Sequence, residues 1–153
     1  HNTEILFQCL KKQISKRGII MVMLNANYID EIKPEDCEYE VVEHLNRSTS
    51  LQGYTDPVNY SDLKTLFGKP SFDTGDPYAK VQTEWCIQGK VFFKDEDGEI
   101  DYEYVEATVY NWKTGGSTPT DEYQWHVGGH DYEAVDFVDA IIKGKIEPYF
   151  NLD

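Results

Sequence analysis

The chain has 153 residues, of which 40% are hydrophobic and 14% aromatic, enough for one domain with a real core. Its 14 Lys and Arg against 28 Asp and Glu give a net charge of −14, which argues against electrostatic binding of DNA, RNA or an anionic membrane. The 7 Phe, 3 Trp and 11 Tyr exclude a chain that stays unfolded. We therefore expect a soluble acidic domain, with Cys9, Cys37 and Cys86 as reduced thiols.

Charge divides the chain into two parts. Residues 1–33 carry five basic and three acidic side chains, a net charge of +2, and we predict that they form an N-terminal helical extension. Helical spacing of apolar residues predicts a helix from about Thr3 to Lys16 within it. Residues 34–153 carry nine basic and 25 acidic side chains, a net charge of −16, and are predicted to form a single acidic domain.

The first half of this domain shows two short elements. Tyr39 to His44 is predicted to be a strand. Ser61 is the predicted N-cap of a short helix that ends at Gly68. Residues 71–79 hold Asp, Gly and Pro and are predicted to be a loop.

A β-meander is predicted to follow. Apolar and polar residues alternate from Val81 to Gln88, Asp97-Gly98 supplies a hairpin turn, and a return strand runs from about Ile100 to Trp112. Tyr123 to Val127 is predicted to be a third strand. These strands would form one antiparallel sheet.

A final helix, capped by Asp131 and ended by Gly144, carries a clean apolar stripe. The predicted fold is therefore α+β, an antiparallel β-meander sheet packed against helices on one face. The predicted core includes Trp85, Tyr110, Trp112, Val135 and Val138.

The most acidic segment, Asp95 to Glu106, holds seven carboxylates. A calcium loop fails, because Phe93 and Tyr104 would occupy positions where ligands are required. A solvated hairpin tip is the simpler interpretation. Alternatively, carboxylates on alternate residues recur at about 6.6–7 Å, which resembles the phosphate spacing of a nucleic-acid strand. The candidate partner-binding residues are Asp95, Glu96, Asp97, Glu99, Asp101 and Glu103.

The second candidate site is the stretch Trp125 to Asp131. Two glycines before a helix N-terminus would leave backbone N–H groups free to hold a phosphate or carboxylate, although Asp131 and Glu133 add negative charge there. A turn in which at least one glycine has a positive φ is the simpler interpretation. The possible ligand-binding residues are Lys113, Trp125, His126, Gly128, Gly129 and His130.

Catalytic and metal motifs are missing from the sequence. It contains no G-x-S-x-G, P-loop or G-x-G-x-x-G motif, and Ser48-Thr-Ser50 is a polar loop with no base fixed beside it. His126 and His130 have no Cys or third His nearby, so we predict neither a metal nor a cofactor. An enzyme is therefore less favoured than a binding protein.

Five motifs, taken together, resemble a family of small, functionally unassigned phage-encoded proteins. They are TSLQGY at 49–54, LFGKP at 66–70, VQTEW at 81–85, ATVYNWK at 107–113 and WHVGG at 125–129. The resemblance spans roughly residues 48–140 and leaves residues 1–33 outside. The acidic segment looks particular to this chain, because family members usually have a shorter hairpin.

The resemblance implies a viral protein that acts in the host cytoplasm, and it carries over no catalytic residue. The leading hypothesis is an accessory protein, comparable to an anti-CRISPR inhibitor, that mimics nucleic acid and blocks a host defence or nucleic-acid-handling protein at its basic groove. One alternative is a nucleotide-signal-binding (sponge) protein that uses Gly128-Gly129, and a second is a small hydrolase using His126 or His130. Neither direct nucleic-acid binding nor a membrane is expected, and the oligomeric state stays open.

Overall fold

A computed structural model describes residues 23–24, 27–28, 37–94 and 96–148 of the chain. The helix predicted from Thr3 to Lys16 lies outside these residues. Within the predicted N-terminal extension, strand β1 (Met23–Leu24) pairs antiparallel with strand β2 (Asn27–Tyr28).

The domain is built on a seven-stranded sheet with two helices. The helices are α1 (Tyr60–Phe67) and α2 (Glu133–Ile142). The strands are β3 (Cys37–Val42), β4 (Ser50–Tyr54), β5 (Phe72–Asp73), β6 (Thr83–Lys94), β7 (Ile100–Tyr110), β8 (His126–Gly129) and β9 (Glu147–Pro148). Their spatial order is β4-β8-β7-β6-β3-β9, with β5 paired to β6.

The predicted α+β class, an antiparallel sheet with helices on one face, is confirmed. Every pairing in this sheet is antiparallel except that of β3 with β9. The order is not that of a strictly sequential meander, because β3 and β4 lie on opposite sides of the central β6–β7 hairpin.

Strand alternation decides which side chains enter the core. The odd-numbered residues of the central hairpin face the helices, and those buried there are Trp85, Ile87, Val91, Val105, Ala107 and Val109. Helix α1 covers them with Leu63 and Phe67, and α2 covers them with Phe137, Val138 and Ile141. We call the opposite side of the sheet, which carries the even-numbered residues of β6 and β7, the open face.

The predicted core is correct at three of its five positions. Trp85, Val135 and Val138 are buried. Tyr110 is half-buried and Trp112 is 40% exposed. Their prediction as core was wrong for two reasons. Tyr110 is an even-numbered residue of β7 and therefore lies on the open face, and β7 ends before Trp112.

The two helices begin and end close to the predicted residues. Asn59, rather than the predicted Ser61, caps α1 by accepting the Asp62 N–H at 2.8 Å. Asp131 precedes α2, and its carboxylate accepts the Glu133 N–H at 2.8 Å, although the N-cap residue itself is Tyr132. The predicted ends at Gly68 and Gly144 are confirmed, since both glycines have positive φ values, 73° and 74°.

The central hairpin is longer than the strands beside it. Its pairing runs from Glu84 opposite Tyr110 to Lys94 opposite Ile100, and Gly98 has the positive φ, 79°, that the predicted turn requires. β3 pairs with β6 only as far as Val91, and β8 pairs with β7 only from Ala107. The hairpin therefore extends beyond both flanking strands. We call residues 92–103 the acidic ribbon.

Candidate functional site

The acidic ribbon presents three of the six predicted partner-binding carboxylates to solvent. Glu96, Asp97 and Glu99 are exposed near the tip, whereas Asp101 and Glu103 are half-buried. Asp95, the remaining member of the predicted set, lies outside the described residues. The ribbon thus carries its most accessible charges at the tip.

The negative charge is crowded along β7. Asp101 and Glu103 are two residues apart, on the face of the strand that carries Val105. Burial, together with the nearby charge of Asp101, raises the pKa of Glu103 above its usual value. The folded protein therefore places a carboxylate charge here at an energetic cost.

Glu103 also lines a cavity of about 220 Å³ at the base of the ribbon. Because β8 ends at Gly129 and the chain then turns into α2, the edge of β7 lies beside that turn. We call this cavity the acidic notch. Its charged lining residues are Arg47, Glu103, Glu106, His130, Asp131 and Glu133.

Glu106 fastens a loop and a turn to the sheet. Its side chain is only 6% exposed, and its Oε1 lies 2.8 Å from His130 Nε2 and 3.8 Å from Arg47 Nε. Its Oε2 accepts the Asn46 N–H at 3.4 Å. His130, predicted to contact a ligand, therefore binds a carboxylate of its own chain.

The predicted ligand-binding residues lie on different parts of the structure. Trp125 is fully buried, packs against Trp85 at 5.7 Å between ring centres, and donates its indole N–H to the Val58 carbonyl at 3.0 Å. Its neighbour His126 points to the open face, where Tyr110 also lies. Trp125 is thus a core residue and is not available to a ligand on that face.

Gly128 and Gly129 lie inside β8 and do not form a turn. Neither has a positive φ, so that prediction was wrong. A Cβ on Gly128 would come within 2.3 Å of Thr108 Oγ1, and one on Gly129 within 2.4 Å of Ala134 Cβ. Glycine is needed here for close packing, and β8 is paired with strands on both sides. The backbone amides of β8 therefore belong to the sheet.

Four aromatic rings surround His126 on the open face. Their centres lie 4.8 Å (Tyr54), 5.3 Å (Tyr110), 6.4 Å (Tyr123) and 6.5 Å (Trp112) from the imidazole. The Tyr123 hydroxyl accepts a hydrogen bond from the backbone N–H of Trp112 and lies 3.3 Å from His126 Nδ1. Burial lowers the pKa of His126 below its usual value, which favours the neutral ring at pH 7.

His126 was a predicted ligand-binding residue, but none of the four rings around it was. Tyr54 was assigned to a motif and Tyr123 to a strand, whereas Tyr110 and Trp112 were both assigned to the core. Strand pairing would have revealed Tyr110, because Tyr110 lies directly opposite His126 across β7 and β8, and paired residues lie on the same face of a sheet.

A second cavity, of about 510 Å³, lies between the loop 43–49 and strand β6 and contains Cys86 and Glu84. The Cys86 thiol lies 3.9 Å from the Glu84 carboxylate. Burial and the charge of Glu84 raise the pKa of Cys86, and burial raises the pKa of Glu84. The sulfur is therefore a protonated thiol at pH 7 and a poor nucleophile.

Three features are absent from the described part of the chain. Neither of its helices is long and apolar enough to cross a membrane. Its His, Cys, Asp and Glu side chains form no group of three or more that would hold a metal ion. Within the same residues, His126 and His130 have no serine, threonine or cysteine side chain as a hydrogen-bond partner.

Comparisons with protein-family models, curated proteins and solved structures give no match to this chain. The resemblance to phage proteins therefore stays a prediction.

Proposed function

We propose that this chain is a phage accessory protein that inhibits a host defence or nucleic-acid-handling protein by occupying its basic groove. The observation that carries the proposal is that Glu103 connects the acidic ribbon to the acidic notch. It belongs to the ribbon and also lines the acidic notch beside Asp131, so accessible carboxylates follow one another from the ribbon tip to the turn before α2. Glu133 lines the same notch but is only 4% exposed.

The shape of the ribbon supports mimicry of a nucleic-acid strand. A two-stranded antiparallel ladder is narrow, and its hydrogen bonds fix the positions of its side chains before binding. Successive residues on one face recur at about 6.6–7 Å, close to the phosphate spacing of one strand. The net charge of −14 would also speed the approach of a basic partner.

The raised pKa of Glu103 indicates that negative charge is disfavoured at this place, so a cation from a partner would be stabilised here. A lysine or arginine placed beside Asp101 and Glu103 would relieve their mutual repulsion and favour the ionised form of Glu103. Binding would then release a proton, and affinity should increase as pH rises through the pKa of Glu103.

The two alternatives have less support. A nucleotide signal at Gly128-Gly129 would need backbone amides that the sheet already uses. A hydrolase would need an activated nucleophile, whereas the pKa of the buried Cys86 is raised.

The test begins with capture and identification of the host partner, followed by affinity measurements with purified proteins. The key variant is Glu99→Gln/Asp101→Asn/Glu103→Gln, which removes three charges and keeps the side-chain shapes. The control, Asp73→Asn/Asp121→Asn/Glu122→Gln, removes three exposed charges elsewhere. We expect the ribbon variant to lose at least about tenfold in affinity and the control to stay within about twofold.

Two further measurements belong to the same experiment. Wild-type affinity should fall steeply between about 50 and 200 mM salt, and the partner's own nucleic acid should compete for binding. Equal affinities for both triple variants, or binding unaffected by competing nucleic acid, would contradict the proposal.

A further inference from the structure

Two lysines converge on one exposed indole at the end of the sheet remote from the ribbon tip. The Nζ atoms of Lys80 and Lys113 each lie 5.8 Å from the centre of the Trp112 ring. The Lys113 N–H donates to the Lys80 carbonyl at 2.8 Å, so the two segments that carry the ammonium groups are joined. The arrangement is therefore held by the backbone as well as by the side chains.

Lys113 adopts a backbone conformation that few residues tolerate. Its φ is 53°, and it is the only non-glycine residue with positive φ among the described residues. Left-handed backbone is unfavourable for a side chain with a Cβ, and such positions concentrate at functional sites. The fold accepts this strain at the residue that brings the second ammonium group to Trp112.

The ammonium groups of Lys80 and Lys113 have no carboxylate partner among the described residues. The chain has a net charge of −14, yet among the described residues no carboxylate oxygen lies within 4.0 Å of either ammonium group. Both cations are thus available to an incoming anion.

Aromatic surface lies beside the two cations. Trp112 is 40% exposed and Tyr54 is 50% exposed, and both rings pack around His126. His126 is held by the Tyr123 hydroxyl and its pKa is lowered, so the centre of the cluster presents a neutral ring at pH 7. The charge of this surface therefore comes from the lysines and its stacking capacity from the rings.

We infer that the surface formed by Lys80, Trp112, Lys113, Tyr54 and His126 binds a planar aromatic ring that carries a phosphate, as nucleotides do. The ring would stack on Trp112, and the phosphate would pair with the ammonium groups. A bare anion would not use the rings, and a neutral ring would not use the lysines. This site, which we call the Trp112 site, is independent of the acidic ribbon.

Fluorescence offers a direct test, because Trp85 and Trp125 are fully buried and Trp112 is the exposed member of the 3 tryptophans. The probe is AMP, with adenosine and inorganic phosphate as its two halves. We expect AMP to quench the emission saturably, with a dissociation constant below about 1 mM, and each half alone to bind at least about tenfold more weakly. Trp112→Phe should abolish the quenching.

Calorimetry with lysine variants supplies the second readout. Lys80→Gln and Lys113→Gln should each weaken AMP binding about fivefold, the effect of one charge contact near the surface. Lys64→Gln is the matched control, since the Lys64 Nζ lies 5.9 Å above a different ring, that of Tyr60. The control should bind AMP like the wild type.

Three results would overturn the inference: no saturable signal up to about 10 mM AMP, equal binding of adenosine and AMP, or equal losses in the Lys64 and Lys80 variants. The ribbon triple variant should bind AMP normally. Failure of this inference would therefore leave the proposed inhibitory function untouched, and the reverse also holds.

Discussion

Phe137 of α2 lies directly over Gly89 of β6, so closely that a Cβ on Gly89 would come within 2.2 Å of Phe137 Cζ. Phe137 is fully buried, and β6 lies at the centre of the sheet. The missing side chain lets the helix approach the strand at this point. The distance between α2 and the sheet is thus set by a residue that contributes no side-chain contact of its own.

Gly89→Ala should therefore destabilise the domain by about 1–3 kcal/mol, because the added methyl group forces Phe137 or α2 to move. The measurement is the free energy of unfolding from urea titration. Gly75→Ala is the control, since a Cβ there meets nothing within 4 Å and its φ is not positive. If Gly89→Ala had the same free energy of unfolding as the wild type, Phe137 would have to move aside without cost.

Glu103→Gln should stabilise the protein at pH 7. Because the folded-state pKa of Glu103 is raised, its contribution to stability is present at low pH and is lost as pH rises through that pKa. Gln cannot ionise, so the variant should have the higher melting temperature at pH 7, and the difference should vanish near pH 3, where Glu103 is protonated. Glu96→Gln, in an exposed residue, is the control. A variant that melts below the wild type at pH 7 would contradict this prediction.

His126→Asn tests the neutral imidazole. A histidine whose folded-state pKa is lowered contributes stability above its usual pKa of about 6.5, and this contribution is lost as pH falls through the folded value. The advantage of the wild type over His126→Asn should therefore shrink between pH 7 and pH 5, as measured by urea unfolding at each pH. His44→Asn, in a side chain that is 89% exposed, controls for the loss of an imidazole. A constant difference would mean that the His126 pKa is not lowered.

Glu106→Ala should cost about 1–3 kcal/mol, because the His130 ring and the Asn46 N–H would lose their buried acceptor. Hydrogen exchange should report the effect locally, as faster exchange of the Asn46 amide. Glu43→Ala, in a side chain that is 88% exposed, should change stability by less than about 0.5 kcal/mol. Unchanged exchange at Asn46 would show that the loop is held by other contacts.

Local pattern predicted the centre of this fold well. Alternation along β6 placed Trp85 in the core, and Asp97-Gly98 gave the hairpin turn, because a two-residue period and a turn dipeptide are both local signals. Strand β4 was missed, since Ser50 to Tyr54 holds few apolar residues and is placed by its pairing with β8. Pairing partners far apart in sequence leave no local pattern.

The candidate site divides in the same way. Acidic residues at alternate positions indicated the carboxylates of the acidic ribbon. The acidic notch was not predicted, because it brings Glu103 beside Asp131 and Glu133, which follow a different strand. Trp125 and His126 are successive residues, so strand alternation places them on opposite faces of the sheet. Grouping them in one ligand site therefore contradicted the strand pattern itself. The approach of Lys80 to Trp112 depends on how two loops pack, which no periodicity encodes.

The extension of the ribbon beyond its neighbours has a consequence for the protein in solution. No described strand pairs with either edge of residues 92–102, and edges of this kind can add a strand from a second molecule. Repulsion between the carboxylates of two ribbons opposes such pairing at pH 7. As the pH approaches the isoelectric point of about 4.5, that repulsion fades. The same charges that are proposed to bind a basic partner would then be what keeps this chain from aggregating with itself.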